Sequence, residues 1–150
     1  MPYTLWLDAD ALPKLVKEAV IKHVLRRNIN CYFVANQYIN IPNNQLFKSI
    51  VVENLPDAAD LYIIDHLQVN DVVVTADIPL AAKVIELQAI SINPRGKIYN
   101  KSNINSILAM RNLMTDLRND GIIQGGPSSY SSKDLITFNN SLDKILQSIK

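Results

Sequence analysis

Short apolar runs alternate with segments of helical period along most of the chain, and this restricts the fold more than any other feature. Residues 3–7 read as a strand, followed directly by Asp8-Ala9-Asp10. Residues 13–26 place Val16, Ala19, Val20 and Val24 on one helical stripe. A second strand is expected over 31–35, a polar loop over 40–45 with Pro42, and a third strand around 50–53. A helix follows over 56–67. Residues 71–75 then contain Val72-Val73-Val74, continuous rather than alternating, as suits a central parallel strand buried on both faces. A third helix is expected over 79–87, a fifth strand over 89–93, and a loop over 94–100. Two helices, about 103–118 and 131–149, close the chain, with a connection over 121–130 that holds three of its four glycines. Strand–helix alternation with short connections means an α/β fold with an open, mostly parallel sheet of about five strands. Ligands of such sheets sit beyond the carboxyl ends of the strands.

Composition narrows the class. A chain of 150 residues is the size of one ordinary domain, and no boundary divides residues 1–150. Its 48% hydrophobic and 19% charged residues exclude intrinsic disorder. A net charge of +1 argues against a polybasic protein held to nucleic acid by bulk charge, while leaving room for a local basic face. Cys31 is the single cysteine and cannot form an internal disulfide; with His23 and His66 it matches no zinc spacing. No basic-then-apolar leader opens the chain, and no apolar run reaches the ~18 residues of a membrane span. A cytoplasmic protein with no membrane partner is expected, and assembly into a homo-oligomer is compatible with these features.

The acidic residues are skewed, eleven Asp against three Glu. Asp8 and Asp10 follow the first strand, Asp77 follows the valine strand, and Asp57 and Asp60 open the second helix three residues apart, on one face. In a parallel sheet all five lie toward one edge. Their mutual repulsion calls for something positive among them, and hard oxygen ligands suit Mg²⁺ or Mn²⁺. Capping is the competing account for Asp10, Asp57 and Asp77, each of which precedes or opens a helix. It does not serve Asp8, which directly follows an apolar strand, where a carboxylate is expected to be partly buried and to need partners. HAD-type phosphatases also place Asp-x-Asp after a first strand, as nucleophile and general acid. Their pattern continues with Thr or Val where this chain has Leu12, which leaves a phosphatase as the lesser alternative.

A more extensive set of motifs occurs in order. Trp6-Leu7-Asp8-Ala9-Asp10-Ala11-Leu12-Pro13 is followed by Val34-Ala35-Asn36-Gln37, Asp57-Ala58-Ala59-Asp60 and Val74-Thr75-Ala76-Asp77-Ile78-Pro79-Leu80-Ala81. Asn93-Pro94-Arg95-Gly96, Met110-Arg111-Asn112-Leu113-Met114 and Gly125-Gly126-Pro127 complete it. The set resembles the YaiI/YqxD family of bacterial proteins, itself similar to the PIN-like fold, whose active members are Mg²⁺ or Mn²⁺ nucleases acting mainly on RNA. The resemblance implies a PIN-like three-layer domain with extra C-terminal helices. It implies catalytic and metal roles for Asp8, Asp60 (with Asp57) and Asp77, with Asp10 as an additional acid. An acid common after the fifth strand is replaced here by Asn93-Pro94-Arg95-Gly96. A nuclease or nuclease-like protein acting on RNA is therefore the first expectation. A module that binds RNA or a nucleotide without cleaving it is the second.

Other polar residues complete the expected surface. Arg95 and Gly96 at the same edge suit a phosphate, with Arg giving a bidentate contact. Arg111 and Arg118 fall on one helical face, where they either track a nucleic-acid backbone or are simply solvated. Asn36-Gln37-Tyr38 offers amides and a ring for a base, and Gly125 and Gly126 offer a backbone anion nest. Ser131 is expected to cap the last helix with Asp134 at the third helical position. His23 and His66 are expected at the surface or satisfied in place. Cys31 and Trp6 are expected in the core, and so are Leu108, Leu113, Met114 and Leu117. No Gly-x-Gly-x-x-Gly supports dinucleotide binding.

Overall fold

A computed structural model describes residues 3–124 and 129–149. In chain order the elements are β1 (Thr4–Asp8), a single 3-10 turn (Ala9–Ala11), α1 (Lys14–Arg27), β2 (Asn30–Ala35), β3 (Phe47–Val51) and α2 (Ala58–His66). They continue with β4 (Val72–Val74), α3 (Ile78–Glu86), β5 (Ile90–Ile92), β6 (Ile98–Tyr99), α4 (Ile104–Asn119) and α5 (Ser132–Ser148). The sheet order is β3-β2-β1-β4-β5-β6, parallel throughout except for the β5–β6 pair. The chain starts in the middle of the sheet, builds outward to β3, then crosses back to β4. The order therefore reverses between β1 and β4, and the crevice expected at such a reversal opens there.

Side chains of the central strands alternate between two helical layers. Leu5, Leu7, Val72 and Val74 pack with Val16, Val20 and Val24 of α1 and Phe138 and Leu142 of α5. Trp6 and Val73 point to the opposite face, against Ile63 of α2 and Leu80 and Val84 of α3. All three residues of β4 are fully buried, as the valine run requires. This is an α/β architecture of three layers, helix–sheet–helix, as a PIN-like domain would have.

Local chemistry sets the helix ends. Asn28 ends α1 in the left-handed conformation (φ 59°), and its N–H bonds Val24 O. The Asp77 carboxylate accepts from Leu80 N at 3.0 Å and caps α3, with Pro79 in the first turn. Ser131 and Asp134 form a reciprocal capping box at the start of α5, as the sequence suggests.

Three features depart from expectation. The third strand begins at Phe47, whose side chain points into the core; the exposed Lys48 and the polar, half-buried Ser49 after it mask the apolar run. The segment expected as a loop over 94–100 contains β6, which pairs Ser91 with Tyr99 and Ile92 with Ile98, so the described sheet has six strands. Two residues are too few to display a period of two. Finally, α4 is not a core helix. Ile104 is buried and Ile107 partly so, packed near Ala81 and Ile85 of α3, whereas Leu113 is 50% exposed, Met114 is 38% exposed, and Leu108 and Leu117 are only half-buried. Its apolar spacing is helical, but nothing among the described residues covers that face.

Candidate functional site

The β1–β4 reversal carries the acids. Asp8 ends β1 and shares the parity of Trp6, so its carboxylate turns toward the α2 layer; only 7% of the residue is exposed. Thr75, the first residue past β4 and fully buried, donates from Oγ1 to Asp8 Oδ2 at 2.8 Å. The same oxygen accepts from Asp77 N at 3.0 Å. One hydroxyl thus fixes the Asp8 carboxylate and the backbone that aims Asp77.

The loop from β3 lowers the first turn of α2 over this edge. Asp57, at its start, holds φ +65° without accepting a side-chain capping bond. Asp tolerates that conformation better than most residues, and backbone strain of this kind clusters at functional sites. The result is a small cleft of about 190 Å³ lined by Asp8, Asp10, Asn36, Glu53, Asp57, Asp60 and Asp77, with Leu55 on its rim. Among the described residues, no lysine or arginine lines it.

The electrostatics follow from this crowding. Burial raises the Asp8 carboxyl, the Thr75 hydrogen bond opposes that, and Asp77 and Asp10 add to the rise. Asp60 is pushed up to about 7, by burial first, then by Asp77, Asp8 and Asp57, and by a hydrogen bond with Asp77. Asp60 therefore keeps its proton close to neutrality. The Asp10 carboxylate accepts from Asn36 N at 3.0 and 3.3 Å, and Asn36 Nδ2 donates to Asn54 Oδ1 at 2.9 Å. That chain ties the loop after β2 to the loop after β3.

Among the described residues, no three His, Cys, Asp or Glu side chains form a group that could hold a metal ion as they stand. The donor chemistry nevertheless fits a hard divalent cation: the cleft offers carboxylate and amide oxygens and no sulfur or imidazole. Thr75 fixes the Asp8 carboxylate and the Asp77 backbone, and Leu80 N fixes the Asp77 carboxylate.

The structure thus brings Asp8, Asp10, Asn36, Asp57, Asp60 and Asp77 into one cleft. It places other expected residues elsewhere. Arg95 Nη1 pairs with Asp134 Oδ2 at 2.9 Å, and its Cζ lies 5.9 Å from the Tyr130 ring centroid, so Arg95 ties the β5–β6 turn to α5. Gly96 has φ +91°, and a Cβ there would come within 2.7–2.8 Å of Thr137; the glycine permits the turn and the approach of α5 together. Arg111 and Arg118 lie exposed on α4, and Gly125 and Gly126 lie outside the described residues. Thr75, Glu53 and Asn54 were not singled out in the sequence. For Thr75 the available signal was a hydroxyl closing a buried valine strand, two residues before an Asp.

The other polar expectations resolve as packing. Trp6 is buried, its Nε1 donating to Asp71 Oδ2 at 3.0 Å. Asp71 also accepts from Thr4 N and Gln68 N, which makes it a structural carboxylate. Cys31 is fully buried. His23 is buried and hydrogen-bonded, while His66 is exposed and stacks on Tyr62 at 4.0 Å.

A doubly wound α/β protein with an acidic cleft at its topological reversal is the class that fold and site define. The family described as "Uncharacterized BCR, YaiI/YqxD family" matches residues 6–148, and the chain belongs to it. It is 48% identical to a UPF0178 protein of Maridesulfovibrio salexigens over 142 residues, covering 95% of this chain and 94% of that one. It is 42% identical to a UPF0178 protein of Legionella pneumophila subsp. pneumophila (strain Philadelphia 1) over 147 residues, covering 98% and 99%. No solved structure matches the chain. Among the described residues no helix is long and apolar enough to cross a membrane.

Proposed function

We propose that the β1–β4 cleft binds Mg²⁺ or Mn²⁺ and acts on RNA as a nuclease or nuclease-like site, in the cytoplasm. The observation that carries this reading is the meeting of Asp8, Asp57, Asp60 and Asp77, from three separate segments, around one small cleft at the sheet reversal. Capping explains Asp77 but not the buried Asp8, nor Asp57, which accepts no side-chain capping bond. A bound divalent cation would supply charge neutralisation for a phosphodiester and a more acidic water. Asp8 and Asp77 would hold it, with Asp57 and Asp60 at the second side of the cleft. Asp10 would act indirectly by holding the Asn36 loop, whose exposed Tyr38 offers a ring to a base.

A second reading, binding of RNA without cleavage, is favoured by the turn after β5. Where an acid would complete the set, Arg95 stands instead, engaged with Asp134. Both readings are tested with labelled single-stranded RNA, with and without Mn²⁺, for the wild type and Asp8→Asn. Mn²⁺-dependent cleavage lost in the variant supports the nuclease. Mn²⁺-dependent retention of uncut RNA, weakened in the variant, supports the binder. Absence of both rejects the site.

A further inference from the structure

A cavity of about 710 Å³ lies away from the acidic cleft, between α1 and α5. That is within the range of small-molecule sites. One stretch of its wall is apolar, formed by Leu15, Ala19 and Leu135; the rest carries Lys22, Arg26 and Arg27 against Glu18 and Asp143.

Its hydrogen bonds are unevenly spent. Arg26 Nη2 lies 3.0 Å from His23 Nδ1, and since a guanidinium only donates, Nδ1 accepts. The neutral ring therefore carries its proton on Nε2 and donates to Asn139 Oδ1 at 3.0 Å. Burial holds His23 below its ordinary range, in keeping with a neutral ring. Asp143 accepts from Arg26 at 3.5 Å and from Arg27 through Oδ1, and from Gln147 Nε2 at 3.1 Å through Oδ2. His23 Nδ1 and the Asp143 carboxylate are thus engaged, while Gln147 Oε1, Asn140 and the exposed Glu18 also line the groove.

Donors remain. Asn139 is oriented with its amide NH2 turned from His23, and among the described residues neither that group nor the Lys22 ammonium has a partner. Arg26, 62% exposed, has N–H groups to spare. Arg27 Nε is buried with no acceptor. The net positive lining and these spare donors favour an anionic, acceptor-rich group, and a phosphate can accept from several donors at once. The apolar wall beside it suits an organic body.

We propose that the α1–α5 groove binds a phosphate monoester of nucleotide size, its phosphate on Lys22, Arg26 and Asn139 and its organic part against Leu15, Ala19 and Leu135. This does not depend on the reading of the acidic cleft. The monoester could be a free nucleotide or the 5′-phosphate of an RNA strand, and the test separates them.

¹H–¹⁵N spectra of the whole chain are recorded during titration with adenosine 5′-monophosphate, adenosine, and a short RNA with or without a 5′-phosphate. The expected result is saturable movement of the Asn139 amide and Arg27 Nε–H signals with the monophosphate or the 5′-phosphorylated strand, and none with adenosine or the 5′-hydroxyl strand. The better ligand of the first two identifies the source. Lys22→Gln/Arg26→Gln alters exposed side chains, and its spectrum reports directly whether the fold is kept; it should weaken binding roughly tenfold or more. Asp8→Asn should bind adenosine 5′-monophosphate in this groove as the wild type does, so failure of this proposal and failure of the cleft reading are distinguishable. No movement of α1–α5 signals, equal movement with adenosine or the 5′-hydroxyl strand, or undiminished binding in the double variant would overturn it.

Discussion

Asp60 carries the sharpest consequence of the clustered acids, because its neighbours and its burial oppose its charge. Its carboxyl titrates near 7 in the folded chain against 3.8 for an ordinary aspartate. The folded state holds a proton that the unfolded chain has already released. The stability of the metal-free protein is therefore fully kept only below the lower value and falls as pH rises toward the upper one. Asp60→Asn removes that loss. Its melting temperature should exceed the wild type's by a margin that grows between those two pH values and stays level above about 7. A margin independent of pH would contradict the account. Much at this scale was legible in the sequence: the five aspartates followed from strand ends and helix starts alone. Thr75 was not, since a threonine beside a valine strand reads as ordinary β-branched packing until its hydroxyl is seen 2.8 Å from Asp8.

Among the elements, α1 and α5 are joined by an apolar seam and by the polar set around His23. Protonating His23 would place a proton on Nδ1, which now accepts from Arg26, with Arg27 also near and Asp143 as the opposing carboxylate. The ring's folded pKa lies below its ordinary 6.5. Its contribution to stability is therefore present above that ordinary value and lost as pH falls through the lower, folded one. Melting curves should show the wild type losing more stability on acidification across that window than His23→Gln does; equal losses would refute the buried neutral ring. The helix α4 makes the opposite point. Its apolar spacing predicts a buried stripe, but period reports only that one face is apolar, not that another element covers it. Leu113→Gln should shift unfolding by no more than about 0.5 kcal/mol, whereas Leu142→Ala, at a fully buried position of α5, should cost about 2–5 kcal/mol. Comparable losses would mean that α4 is packed after all. β6 escaped the sequence for another reason: it exists through pairing with β5 across a turn that only Gly96 can make against Thr137.

For the whole molecule, the reversal between β1 and β4 organises the rest. It joins Asp8 to Thr75 and Asp77 across neighbouring strands, and the β3–α2 connection brings Asp57 and Asp60 over the same edge. The sequence announces a mostly parallel sheet with its acids at one edge, through strand–helix alternation and the fully apolar β4. It does not announce the sheet order, which is set by long-range packing. On the reading proposed above, this edge is a cation site and not a row of helix caps. Thermal unfolding in Mn²⁺ tests it most directly, because a ligand that binds only the folded state stabilises it by RT ln(1 + [L]/Kd). At a hundredfold excess over Kd the wild type should gain about 2.7 kcal/mol, and Asp8→Asn and Asp77→Asn, folded and measured alongside, should lose most of that gain. No Mn²⁺ shift in the wild type, or an undiminished shift in both variants, would contradict the account.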